Sequence, residues 1–158
     1  MLTKYELYLI AKSFREAGEK VTKDKYKNFP KGLCGVLSRS LGIWLDGNYP
    51  YDVFDYICGI RWDPDCDYYS HAWIEYQNII IDISADQFED CDESIIIRKK
   101  DLSNFHSTFE IDFNHTRNVK TIKIYKSDIE NSIIEESNRL LKETLKIDIK
   151  ADIDSHFI

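Results

Sequence analysis

The chain has 158 residues, enough for an ordinary hydrophobic core without disulfide or metal staples. Three Trp, eight Phe and ten Tyr predict a packed globular fold and exclude disorder. A formal net charge of −7, with only short basic clusters, argues against nucleic acid and an anionic membrane surface as partners.

In residues 3–20, Tyr5, Leu9, Ile10, Phe14 and Ala17 recur on one helix face, and Gly18 marks the expected end. Charges run through this opening stretch, so it lacks the apolar core of a signal peptide, and a mature cytoplasmic N-terminus is expected. No run approaches the about 18 apolar residues of a membrane span. Cys34, Cys58, Cys66 and Cys91 are therefore expected as reduced thiols. Their spacing, with His71 between Cys66 and Cys91, contains no C-x-x-C pair and lies far from zinc-ligand patterns, so neither metal nor cofactor is expected.

The connector VTKDKYKN leads into FPKGLCG, a turn built on Pro30 and Gly32. From Cys34 a helical stripe of Leu37, Leu41, Trp44 and Leu45 follows, and Asp46-Gly47-Asn48 supplies a stop. A thiol kept for packing would sit on that apolar stripe. Cys34 stands instead at the helix start, where unpaired N–H groups favour the thiolate.

Beyond Pro50 the pattern changes to strands: residues 54–61, 70–76 and 79–84, a short one at 95–97, and one over 119–125. Ser127 is the predicted N-cap of a last amphipathic helix carrying Ile129, Ile133, Leu140 and Leu141, and the tail IDIKADIDSHFI alternates like a strand. Helices followed by mostly antiparallel strands read as α+β, in one domain spanning 1–158 with neither repeat nor linker.

A hairpin turning at Gln77-Asn78 places Tyr76 opposite Ile79, Ile74 opposite Ile81 and Ala72 opposite Ile83, all on one apolar side. His71, Trp73, Glu75, Ile80, Asp82 and Ser84 share the other, predicted polar, side. Slipping the register by one residue would expose isoleucines and bury the aspartate, so the pattern selects its own pairing. His71 and Asp82 then lie within side-chain reach, with Asp86 as the reserve carboxylate. A thiol, an imidazole to pair with it and a carboxylate to orient that imidazole are thus present in the order Cys34, His71, Asp82.

FPKGLCG…SHAWIEY…IIDISADQF resembles the papain-like/transglutaminase-like superfamily of thiol proteases, transglutaminases, deamidases, arylamine acetyltransferases and lasso-peptide leader peptidases. It is most similar to a group of small bacterial proteins with the same motifs. Papain-like domains also occur as toxin tips. The resemblance covers about residues 29–110 and implies Cys34 as nucleophile, His71 as base and Asp82 as orienting acid, on a helix packed against a mostly antiparallel sheet. Six residues before the cysteine, papain-like proteases carry a glutamine that helps hold the oxyanion; here that position is Asn28. Gly35, Trp73, Gln87 and Asp86 complete the expected oxyanion or substrate contacts.

Other constellations have plainer readings. Asp63-Pro64-Asp65-Cys66-Asp67 opens like a calcium loop but has Tyr68 where glycine is needed and Ile74 where glutamate is needed. It and the Glu89–Glu93 run read as solvated acidic loops that would favour basic peptides. His106, His115 and His156 read as surface or hydrogen-bonded imidazoles, and Cys58 as a core thiol. The expected function is a thiol hydrolase or acyltransferase acting on a peptide or protein substrate. The alternatives are a toxin or effector domain with the same chemistry, or a catalytically weak protein-binding module; oligomeric state is not legible.

Overall fold

A computed structural model describes residues 2–65, 67–122 and 127–155, with side chains of the last helix described through Thr144. The first helix, α1 (Lys4–Thr22), is opened by a capping box in which Thr3 and Glu6 satisfy each other's backbone N–H groups. The second, α2 (Cys34–Asn48), begins at the thiol, as the sequence predicts. The chain reaches it through the cis Phe29–Pro30 peptide and Gly32, whose φ of +77° is a conformation that favours glycine.

Strands β1 (Phe54–Asp63), β2 (Asp67–Tyr76), β3 (Ile79–Asp82) and β4 (Ile96–Lys99) follow, then the short β5 (Glu110–Ile111) and β6 (Arg117–Asn118). Every pairing is antiparallel, in the spatial order β4-β3-β2-β1-β5, with β6 also on β1. The hairpin register is the predicted one: Tyr76 faces Ile79 and Ile74 faces Ile81. Gln77 and Asn78 both have positive φ, 54° and 83°, as a tight two-residue hairpin turn needs. The predicted Ala72–Ile83 pair is not part of the ladder, which ends at Ile74–Ile81.

The last helix, α3 (Asp128–Ser155), has a second capping box, with Ser127 and Glu130 bonding reciprocally. Two strand expectations fail here. Val119–Thr121 forms a 3-10 turn begun by Asn118, whose side chain accepts from the Lys120 N–H; residues 123–126 lie outside the described ones. The tail is helical to Ser155, since no Gly or Pro after Pro64 interrupts it.

The sheet has two unlike faces. Against one pack α1 and α2, with α3 packed on those two helices, closing a core that includes Phe14, Leu37, Leu41, Phe54, Ile74, Ile81 and Ile133. The other face carries a smaller cluster of Ile57, Trp73, Ile80, Phe88 and Phe109, flanked by Phe105 and Ile111. This is the face predicted to be polar. It is buried instead, because loops downstream of β3 and β4 fold back across it. Among the described residues, no helix is long and apolar enough to cross a membrane.

Candidate active site

Cys34 occupies the first position of α2, and Leu33 before it provides no side-chain cap. The capping boxes of α1 and α3 make the contrast: here the first-turn N–H groups are left open beside a sulfur. Gly32 and Gly35 flank the thiol. A Cβ on Gly35 would stand 3.5 Å from the Tyr56 hydroxyl, which places β1 against this first turn. Ser38, one turn on, donates its hydroxyl to the Ala72 carbonyl at 2.9 Å and fixes α2 against β2.

His71, on β2, is wholly buried, and its Nε2–H donates to Asp82 Oδ2 on β3 at 2.6 Å. With Nε2 committed, Nδ1 is the ring nitrogen left to face Cys34, with which the imidazole is hydrogen-bonded. Burial pulls the His71 pKa down, but the Asp82 charge and the bonds to Asp82 and Cys34 outweigh it, pushing it up to about 9. For Cys34 burial pushes the pKa up. The His71 hydrogen bond and charge, the Gln87 side chain and the Ala72 backbone N–H together bring it below the ordinary thiol value. Both directions favour a thiolate–imidazolium pair.

Asp82 is also fully buried, and its oxygens are saturated. Oδ2 accepts from His71 and, at 2.9 Å, from His106 Nε2; Oδ1 accepts from the Ser84 backbone N–H and hydroxyl. Burial alone would raise its pKa, but the two imidazoles more than reverse this, so the carboxyl is held below its usual range. His106 is in turn fixed by Ser103 Oγ at 2.7 Å from Nδ1. Sequence reasoning left His106 outside the site. It lies in a loop, in a 3-10 turn (His106–Thr108), and the one local hint is Ser103 three residues earlier.

His71, Asp82 and His106 offer metal-ligand atoms within 4.8 Å of one another. Two ligands of one tetrahedral zinc stand roughly 3.3 Å apart. The 2.6 Å between His71 Nε2 and Asp82 Oδ2 is a shared proton's spacing, so hydrogen bonding accounts for the arrangement.

The remaining predicted residues separate. Gln87 belongs to the site: its Oε1 accepts from the Gly32 N–H at 3.2 Å, while Nε2 lies 3.1 Å from His71 Nδ1 and donates to the Ser84 carbonyl. Asn28, the expected oxyanion amide, is exposed, and among the described residues it bonds through its backbone, its carbonyl accepting from the Lys31 N–H. Asp86 does not orient His71. It is held bidentately by Arg15 of α1 at 2.6 Å, four residues beyond the carboxylate that does. Trp73 is 1% exposed, beneath His71 and His106, and cannot meet a substrate. Its indole is cut off by Phe109, and its N–H donates to Glu75. Cys58 is half-buried rather than a core thiol, and His115 is exposed and paired with Asp112. Cys66 and His156 lie outside the described residues.

An open cleft of about 580 Å³ runs past Gly32 and Gln87, walled by Tyr68, Tyr69 and Phe88 and rimmed by Asp63 and Glu89. Arg61 forms part of its floor. The guanidinium lies 4.8 Å from the Phe109 ring centroid and 5.2 Å from that of Phe88, and is held by Asp90 at 2.7 Å. Comparison with known families, with curated proteins and with solved structures finds no match to this chain.

Proposed function

We propose that the protein is a cysteine-dependent hydrolase or acyltransferase acting on a peptide or glutamine carboxamide through a thioester. The observation that carries this reading is the uncapped start of α2, where Cys34 meets an imidazole that is held from behind by a buried, ionised carboxylate. A nucleophile on a helix, followed by histidine and aspartate on an antiparallel sheet, supports a papain-like/transglutaminase-like arrangement.

His71 Nδ1 takes the thiol proton. The sulfur bonds to the substrate carbonyl carbon, and the carbonyl π pair moves onto oxygen. The Cys34 backbone N–H and the Gln87 amide are the donors for that oxyanion. As the C–N bond breaks, His71 returns its proton to the leaving nitrogen, leaving a thioester. Water, losing a proton to His71, adds to the thioester carbon, and the C–S pair returns to sulfur. An amine in place of water gives transfer. Peptide cleavage, deamidation and acyl transfer share these steps.

Iodoacetamide at about pH 6 tests the nucleophile, because thiolate rather than thiol reacts. Cys34 should be alkylated ahead of Cys58 and Cys91, both of whose thiols burial pushes up. His71→Ala should abolish the preference. A screen of peptide and glutamine amides should then give turnover with the wild type and none with Cys34→Ala. Preferential labelling of Cys58 or Cys91 overturns the assignment.

A further inference from the structure

A second, smaller pocket of about 210 Å³ lies beside the first turn of α2, lined by Arg39, Tyr56, Cys58, His115, Arg117 and Ile122. Its place beside the thiol follows from two contacts. The Tyr56 hydroxyl stands 3.5 Å from where a Gly35 Cβ would be, and Arg39 follows Gly35 by four residues, on the same side of α2. Arg117 lies directly across from Tyr56 in the β1–β6 pairing.

The pocket is basic in a chain whose net charge is −7. Arg39 spends only its Nε, on Glu130 at 2.8 Å; among the described residues neither of its Nη groups is hydrogen-bonded. Among the described residues Arg117 makes only long bonds of 3.4 Å, to the His115 and Asn114 carbonyls. The Tyr56 hydroxyl has no hydrogen bond among the described residues, and burial first of all pushes its pKa up to about 12, so it stays a proton donor. Two guanidinium groups and a phenol thus surround a space that admits one side chain. The cleft's charged lining is mixed, with Asp63, Glu89 and Asp90 beside Lys31 and Arg61.

We propose that this pocket is a substrate subsite for a carboxylate, placed one or two residues from the carbonyl that meets Cys34. The inference rests on the reading of Cys34 as the nucleophile. Guanidinium groups bind carboxylates by paired, charge-assisted hydrogen bonds, and the phenol adds a third donor. The carboxylate is that of an acidic side chain or of a chain terminus. The cleft's guanidinium, Arg61, is already held by Asp90, so the pocket is the better place for a carboxylate.

Chloroacetyl peptides test this on the intact protein, since the thiolate displaces chloride as a new S–C bond forms. The series is chloroacetyl-Gly-Glu amide, chloroacetyl-Gly-Gln amide, chloroacetyl-Gly-Lys amide and chloroacetyl-Gly-Gly with a free carboxylate. Alkylation rates at Cys34 are read by peptide mass at low and high salt. Either carboxylate reagent should react about tenfold or more faster than the Gln reagent, with the gap narrowing in salt. Whichever of the two is faster identifies a side chain or a terminus as the source. In Arg117→Glu, on an exposed strand position, the Glu and Lys reagents should exchange order, each rate being taken relative to that of iodoacetamide at Cys34 in the same variant. Equal rates for Glu and Gln, or an order indifferent to Arg117→Glu, overturn the subsite and leave the nucleophile standing. If the neutral reagent itself fails to favour Cys34 over Cys58 and Cys91, the nucleophile reading falls and takes the subsite with it.

Discussion

Asp82 is the residue on which the geometry turns, because each of its acceptor positions is used and none faces solvent. A carboxylate so placed cannot rotate away from the imidazole, and it holds His71 in the tautomer with Nε2 protonated and Nδ1 toward the sulfur. Asp82→Asn should lower turnover by up to about 10⁴, since an amide presents the wrong partner to one nitrogen. His106 acts one step further back, as a positioning residue. His106→Leu should reduce kcat by roughly tenfold with KM unchanged and shift the alkaline limb of the pH profile, while His106→Gln, which keeps a donor, restores most of it. An equal fall in kcat with the limb unmoved would leave His106 a packing residue only.

The pH dependence follows from the same pair, with the signs taken in turn. His71 has a folded pKa of about 9 against an ordinary 6.5, so its stabilisation is complete below about 6.5 and is lost as pH rises through 9. Cys34 is an acid with a depressed folded pKa, so its share is complete above the unfolded value near 9.0 and is lost as pH falls. Above both 6.5 and the lowered Cys34 pKa, and up to about 9, the two slopes oppose each other, because folding there moves a proton from sulfur to nitrogen without releasing it. Urea unfolding of the wild type should therefore be nearly independent of pH across that window. Cys34→Ser removes one slope, and stability should then decline as pH rises from about 6.5. Turnover, by contrast, should be bell-shaped, rising through the lowered Cys34 pKa and falling near 9 as the imidazolium is lost.

At the scale of elements, the site is assembled by a few cross-ties. Arg15 reaches from α1 to Asp86 and to the Ile83 carbonyl, and lies 4.6 Å from the Phe29 ring centroid. It thus joins the 3-10 turn Ala85–Gln87, which presents Gln87, to the Phe29–Pro30 turn that leads to Cys34. Arg15→Ala should loosen Gln87 without moving the thiol. The expected result is a fall in kcat with little change in Cys34 alkylation by iodoacetamide; a parallel loss of both would place the effect on the whole fold. Gly59 is a second tie, opposite His71 on β1. A Cβ there would lie 2.8 Å from Trp73 and Phe109 atoms, so Gly59→Ala should cost about 1–3 kcal/mol in chemical denaturation through overpacking beneath the histidine.

Over the whole molecule, legibility divided along local and long-range lines. The helix start at Cys34 was readable because Pro30 and Gly32 punctuate the chain just before an apolar stripe, and the His71–Asp82 pairing because alternation permits one register. What covers a strand is not written in the strand. Trp73 and His71 fell on a face that looked polar, yet Phe88, Phe105 and Phe109 arrive from loops to bury it. His106 was missed for the same reason, since it reaches Asp82 across 24 residues from a segment without periodicity. Asn28 was read by its spacing from Cys34. Gln87, also expected from the ADQF stretch, is the amide that the fold brings beside His71.

The aromatic cover on that second face makes the proton traffic of the site one-sided. Phe88, Phe105 and Phe109 stand 5.1, 5.9 and 5.6 Å from the His71 ring, and Arg61 seals them from outside. Bulk water therefore does not reach the Nε2 protons of His71 and His106 from that face, and exchange at the His71 ring runs through Nδ1, past Cys34 and Gln87. In proton NMR those two Nε2–H resonances should lie far downfield and survive solvent-saturation transfer. The Nδ1 signal of the same ring should vanish.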